Sequence, residues 1–192
     1  IIFMTIKHLS LTGGGPNVFI YYGVIKELIK NDFIQVDNIE SIHCTSCGCI
    51  IAIFLLLLPK SSLDDIDDFL INKPWEKTFT VSPKDIIGSF TKLGMYDRTI
   101  IIEIVKPFFQ LNDMDIDITL FEFYEKFKKK VTFYVSEVKF NRSECFNHLS
   151  NPDLKLVDAI YMSCSIPVIF RPTFLNDKVY VDGGLFKNYP LK

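Results

Sequence analysis

The sequence predicts an α/β fold, with a parallel sheet and helices packed on it. Two consecutive units carry that prediction. "LSLTGGGPNVFIYYGVIKELIK" (residues 9–30) reads as strand, glycine loop and helix, and residues 39–58 repeat the order as strand, tight turn and helix. Strands joined through helices lie parallel, because the helix carries the chain back along the sheet. A third observation is that the 192 residues contain no repeats, low-complexity tracts or linkers, so one domain over 1–192 is the economical reading. The chain begins at Ile1 rather than Met, and an excised piece of a longer protein is expected.

The first predicted strand covers residues 4–11 and ends at the glycines. Pro16 suits the first turn of a helix, where its missing N–H costs nothing. From Tyr21, apolar residues at 21, 24, 25, 28 and 29 keep a helical period as far as Asn31. Residues 39–44 form a second strand, and Thr45–Gly48 a tight turn. The apolar run from Cys49 to Leu58, ended by Pro59, is roughly half the length of a bilayer span and reads as a buried helix. "SSLDDIDDFL" predicts a helix capped by Ser61 or Ser62, with acids in its first turn. Residues 97–110 carry an amphipathic stretch expected to stop or kink near Pro107. "TLFEFYEKFKKK" predicts a helix whose cationic end suits its dipole. "VTFYVSEV" (131–138) is the clearest strand. Asn151 is expected to cap a helix that has Pro152 at its first position and runs to about Cys164. "KVYVDGG" closes the pattern as a short strand broken by two glycines.

Composition narrows the functional classes. Hydrophobic residues make up 48% of the chain, with 18 Phe, which excludes disorder. A net charge of −2 with mixed signs gives no electrostatic ground for a nucleic-acid partner. The N-terminus lacks the basic and apolar pattern of a secretory signal. Three of the five cysteines, Cys44, Cys47 and Cys49, fall within six residues, and Cys145 and Cys164 complete an odd number. This is unlike a secreted disulfide framework and points to a reducing compartment, the cytoplasm.

Three stretches carry chemistry. "CTSCG" (Cys44–Gly48) sits between a strand and a helix, where a nucleophile elbow exposes a serine on a strained turn. Such a turn needs small residues two before and two after the serine. Gly48 meets that need and Cys44 departs from it. Cys44 and Cys47 also form a Cys-x-x-Cys pair, which would need two more ligands to hold zinc, from Cys145, His148 or Cys164. Buried thiols are the plainer reading of all five. Gly13, Gly14 and Gly15 open a helix but match neither a dinucleotide fingerprint nor a P-loop, which leaves an oxyanion hole. "YVDGGLFKNYP" (180–190) places Asp182 at a strand end before Gly183 and Gly184, and an Asp-Gly turn is the plainer reading. A serine nucleophile needs a base. His8 and His43 lie on strands, His148 lies in a polar loop and stays a candidate, and no histidine follows Asp182. Ser46 acting directly with Asp182 is the simplest arrangement left.

Together these stretches resemble the patatin-like phospholipase family over about residues 5–190. "LSLTGGGPNVFIYYGVIKEL" is similar to its glycine-rich oxyanion segment and following helix, with Gly23 also in place. "CTSCG" is similar to its Gly-x-Ser-x-Gly elbow, "LVDAIYMSCSIPVIFRP" to its helix and Ser-x-x-x-Pro stretch, and "VDGGLFKNYP" to its Asp-Gly-Gly…Asn-x-Pro segment. The resemblance implies a three-layer α/β/α sandwich with a mainly parallel central sheet. It also implies a Ser46–Asp182 dyad that hydrolyses acyl-lipid esters, phospholipids among them, without a metal or cofactor and in transient contact with a lipid surface. Cys44 in the elbow, and Asn17–Val18 where the family carries a basic residue and glycine, motivate the alternative of a non-catalytic lipid-binding module. Aromatic and aliphatic residues between 75 and 110 are candidates to line or cap an acyl pocket, with core packing expected for most.

Overall fold

A computed structural model describes residues 5–57 and 63–191. The helix end at Leu58–Pro59, the Ser61 or Ser62 cap and the start of the first strand at residue 4 lie outside them. The first unit is β1 (His8–Leu11), a tight 3-10 turn at Gly15–Asn17 that contains Pro16, and α1 (Val18–Lys30). The second is β2 (Ser41–Thr45) and α2 (Cys47–Leu57). Nearly every side chain of α2 is buried, which is why it carries apolar residues all round. Next come α3 (Leu63–Asn72), α4 (Trp75–Thr78), α5 (Pro83–Lys92), β3 (Gly94–Tyr96) and α6 (Thr99–Leu111). The chain then forms α7 (Leu120–Phe127), β4 (Lys130–Glu137), β5 (Arg142–Phe146) and α8 (Leu156–Cys164). It ends in β6 (Val168–Phe170), β7 (Thr173–Leu175), β8 (Lys178–Asp182) and α9 (Gly184–Lys187).

The fold is the three-layer α/β/α sandwich. β1, β2 and β4 form its parallel centre, and β5, β8 and β7 extend it in antiparallel pairing. Ile42, Cys44, Phe133 and Val135 project from one face of the sheet into the core, where α2 packs on β1 and β2, and α8 on α2, β4 and β8. The opposite face carries Thr45 and Tyr134, with α9 over it. The Thr45 hydroxyl donates to the Lys187 carbonyl at 3.2 Å, and the Lys187 ammonium lies 5.2 Å from the Tyr134 ring centroid. A small second sheet pairs β3 with β6. The Arg171 guanidinium ties it down through Asp97 at 2.9 Å and the Gly94 and Met95 carbonyls.

Four sequence expectations need correction. Of the stop or kink expected near Pro107, the stop is excluded, because α6 runs on to Leu111. Ile100, Ile101, Ile104, Val105, Phe108 and Phe109 are all buried along it, at about 1.5–3 kcal/mol each, against about 3 kcal/mol for an interior proline. α8 begins at Leu156 rather than at Pro152. The backbone just before it is engaged instead with the segment preceding α7, through Leu120 N–H to Leu154 O at 2.9 Å and Leu156 N–H to Ile118 O at 2.9 Å. α7 ends at Phe127, where Lys128 takes a left-handed conformation (φ 54°), so Lys130 starts β4 instead of extending the helix. Its N-terminus carries a reciprocal cap between Thr119 and Glu122. The first strand starts at His8, and residues 5–7 precede it.

Close approach decides two glycines differently. A Cβ on Gly48 would lie 2.5 Å from the Leu11 carbonyl oxygen and 2.7 Å from that of Thr12, so α2 can start against the end of β1 only without a side chain. A Cβ on Gly23 would meet nothing within 4 Å. Gly48→Ala is therefore expected to cost about 3 kcal/mol or more, because backbone must move. Gly23→Ala should stabilise the fold by about 0.4–1 kcal/mol. Chemical denaturation of both variants against the parent chain checks the contrast.

Candidate active site

The end of β2 and the end of β8 meet on one edge of β4. β5 occupies the other edge over residues 133–137. On the shared edge, β2 runs parallel to β4 as far as Thr45 opposite Tyr134, and β8 arrives antiparallel with Asp182 opposite Val135. Two strands travelling in opposite senses thus finish at adjacent residues of a third. Ser46 and Asp182, 136 positions apart, are brought into contact, and Ser46 Oγ donates to Asp182 Oδ2 at 2.6 Å.

Each side chain is held from several directions. Ser46 has φ 52°, the left-handed turn expected of an elbow, and its N–H donates to Ser163 Oγ at 2.9 Å. The Ser163 hydroxyl donates in turn to the Tyr134 carbonyl at 2.6 Å, so one buried hydroxyl links elbow, central strand and α8. The Asp182 N–H donates to the Ser165 carbonyl at 2.8 Å, and Asp182 Oδ1 accepts the Gly184 N–H at 2.7 Å. A Cβ on Gly183 would collide with the Tyr134 carbonyl. Burial raises the Asp182 pKa above the usual carboxylate range, while the bonds from Ser46 and Gly184 act the other way.

The three glycines separate in role. The Gly13 N–H donates to the Asn188 carbonyl at 3.3 Å, so it is committed. A Cβ there would lie 2.5 Å from Asn188 Oδ1 and 2.9 Å from Ser46 Cβ, so Gly13 serves close packing. The Gly14 and Gly15 amides face the Cys47 sulfur and lower its pKa against the larger raising effect of burial. Gly15 lines the same cavity as Ser46. Cys44 fits the crowded turn by pointing into the core, where its thiol donates to the Thr132 carbonyl at 3.4 Å. Cys145 is exposed on β5 while the other four cysteines are buried, and all five are free thiols. The histidines lie elsewhere. His8 Nδ1 pairs with the Ser41 hydroxyl at 2.8 Å at the start of the parallel strands. The His43 ring sits 6.2 Å from that of Tyr134 on the α9 face. His148 stacks on Tyr124 with centroids 3.8 Å apart, beside Val131 near the start of β4.

Ser46 opens onto a cavity of about 500 Å³. Phe54, Trp75, Phe79, Ile104 and Phe170 contribute to a wall that is almost wholly apolar. Several of the aromatic and aliphatic residues between 75 and 110 thus line a pocket, while Val105, Phe108 and Phe109 are core. Ser163 and Asn188, whose parts in the site the sequence left unassigned, both fall inside motif stretches. A serine near the end of the apolar "LVDAIYMSC" helix was the available signal. Among the described residues no helix is long and apolar enough to cross a membrane.

A positive-φ serine between a parallel strand and a buried helix, hydrogen-bonded to a strand-end aspartate, places the chain in the class of α/β proteins that carry a serine on a left-handed strand–helix turn. Within it, the chain belongs to the patatin-like phospholipase family, whose model matches residues 9–192. It is 27% identical over 186 residues to an uncharacterized protein of Acanthamoeba polyphaga mimivirus, covering 97% of this chain and 60% of that protein. It is 24% identical over 187 residues to the probable lipid hydrolase 463L of Invertebrate iridescent virus 6, covering 96% and 62% respectively. The chain therefore spans about three-fifths of these relatives. Its fold is similar to that of VipD from Legionella pneumophila, with a TM-score of 0.60 at 15% identity over 97% of this chain and 47% of that one. The type III effector ExoU gives 0.51 at 14% identity over 82% of this chain and 39% of that one.

A folded-state pKa above the unfolded value means that the native state holds the Asp182 proton more tightly. Stability attached to this group is therefore lost as pH rises through the window from the ordinary carboxylate value to the raised one. Asp182→Asn removes the buried charge and is expected to raise the melting temperature at neutral pH by a few degrees, at about 2–4 °C per kcal/mol for a chain of this size. The advantage should vanish in acid, where the native carboxylate is protonated too. Thermal scans at neutral and acid pH read both, and a lower melting temperature for the variant at neutral pH would contradict the assignment.

Proposed function

We propose that the chain is a serine lipid acyl hydrolase, a carboxylic ester hydrolase of phospholipase A or lysophospholipase/esterase type that releases fatty acids at a lipid surface. One observation carries this reading: the 2.6 Å bond from Ser46 Oγ to Asp182 Oδ2 beside an apolar cavity of about 500 Å³. The volume falls within the range of about 300–1,000 Å³ usual for small-molecule sites. Its lining suits an acyl chain and penalises peptide or sugar, whose polar groups would lose water without new partners. The family, and the printed name of the iridescent-virus relative, support a lipid substrate.

Asp182 Oδ2 accepts the Ser46 proton as Oγ bonds to the acyl carbon. The carbonyl oxygen becomes negative beside the Gly14 and Gly15 amides, each such donor contributing about 3–4 kcal/mol of transition-state stabilisation. Asp182 returns the proton to the departing lipid alcohol. It then takes a proton from water, which attacks the acyl-Ser46 ester; Ser46 Oγ leaves with that proton and the fatty acid is released. A carboxylate whose pKa is raised by burial is a stronger base than a solvated one, and this favours direct Ser–Asp action.

Ser46→Ala should lower hydrolysis of a phospholipid or short-chain ester by about a thousandfold or more. Asp182→Asn should lower it by about 10²–10⁴-fold. Because the reaction needs the ionised carboxylate, activity should fall in acid through an apparent pKa above the ordinary 3.8, and the variant should lose that limb. A fluorophosphonate probe should label Ser46. Lipid binding without labelling or turnover would instead favour the non-catalytic module, and full activity in Ser46→Ala would remove the nucleophile.

A further inference from the structure

Three large apolar side chains that line the cavity, Phe19, Phe79 and Ile169, are also exposed, and α5 exposes more. In α5, Ile86 is 51%, Ile87 73% and Phe90 81% exposed, and none of the helix's described side chains is buried. Positions 86, 87 and 90 share one helical face, so α5 is amphipathic with its apolar side turned to solvent. Two element contacts connect this helix to the cavity wall. α5 packs on β3, β3 pairs with β6, and Ile169 and Phe170 of β6 line the cavity wall. Phe19 and Phe79 both line the cavity and reach the surface. Ring contacts run from Phe19 to Trp75 at 5.7 Å, from Trp75 to Phe79 at 6.2 Å and from Phe79 to Tyr96 at 5.7 Å. Residues 73–92 hold four lysines against two acids in a chain whose net charge is −2, and exposed Lys77 and Lys92 lie on either side of the apolar face in sequence.

We propose that this face docks on a phospholipid bilayer carrying anionic headgroups, with α5 lying in the interface plane. Ile86, Ile87 and Phe90 enter the acyl boundary while Lys77 and Lys92 meet phosphates and serine carboxylates at headgroup level. The cavity mouth then sits against the lipid, and an acyl chain enters it without crossing water. The inference rests on the acyl-lipid reading of the same site, and it commits to a membrane rather than to a second copy of the chain. The run of apolar contacts from the cavity through Phe79 and Tyr96 to β3, on which α5 packs, and the local excess of lysine both favour lipid.

The test uses the 192-residue chain carrying Ser46→Ala, so that vesicles survive, in flotation with phosphatidylcholine vesicles with or without phosphatidylserine. Tighter binding to the mixed vesicles is expected. Ile87→Ser/Phe90→Ser should weaken binding to both by about tenfold or more, and Lys77→Gln/Lys92→Gln should erase the preference for phosphatidylserine. In the Ser46 background, Ile87→Ser/Phe90→Ser should hydrolyse a soluble short-chain ester at the parent rate, which also reports a native fold. Unchanged vesicle affinity in that variant overturns the docking face. So does a parent chain that ignores vesicles, or a parent dimer that the substitutions convert to monomer. Vesicle binding that depends on α5, with no ester hydrolysis by the parent, would leave the docking face standing and remove the hydrolase.

Discussion

Everything at the site depends on one edge of β4 being shared by two strands. A strand has two edges, and β5 fills one of them over residues 133–137. β2 and β8 divide the other, approaching from opposite directions and stopping at Tyr134 and Val135. Strand pairing is thus the device that sets the Ser46–Asp182 distance, and the geometry is as rigid as the sheet itself. The Tyr134 carbonyl sits at the junction, where it accepts the Ser163 hydroxyl and leaves no room for a side chain on residue 183. A loop-borne pair would need many more contacts to reach the same precision.

The arrangement carries costs that its surroundings must offset. Ser46 adopts a left-handed backbone that non-glycine residues avoid, and Asp182 keeps a carboxylate largely out of water. Against these stand the apolar mass of α2 and α8 on the sheet and a short chain of hydrogen bonds through Ser163, Ser165 and Gly184. Cys44 and Cys49 belong to the same economy. Their thiols are buried, Cys44 on the Thr132 carbonyl and Cys49 on the Ser163 hydroxyl at 3.2 Å, and they act as small core groups that also satisfy neighbouring acceptors.

How much of this was legible depended on whether a signal was local. The two opening units, β4 and the contact of Ser46 with Asp182 could be read because the Cys-Thr-Ser-Cys-Gly turn, glycine loop and Asp-Gly-Gly each occupy a few adjacent positions. The division of labour among Gly13, Gly14 and Gly15 could not be, because Gly13 is spent on Asn188, 175 residues away, and spacing is blind to such a partner. β5 was hidden by its polarity, since "RSECF" lies mostly exposed and, among the described residues, pairs with β4 alone. The helix predicted from Pro152 failed for the same kind of reason: backbone pairing with residues 118–121 outcompeted a local cap. α6 ran past Pro107 because six buried side chains outweigh one missing donor.

The bond from the Gly13 amide to the Asn188 carbonyl, seconded by the Thr12 hydroxyl at 3.0 Å on the same oxygen, has a temporal meaning. It couples a loop to a residue that the ribosome adds 175 positions later. A growing polypeptide lacks both Asp182 and the clamp on its glycine loop until residue 188 has been added. The Ser46–Asp182 contact and the clamped glycine loop are therefore assembled together, once the segment through Asn188 has been synthesised.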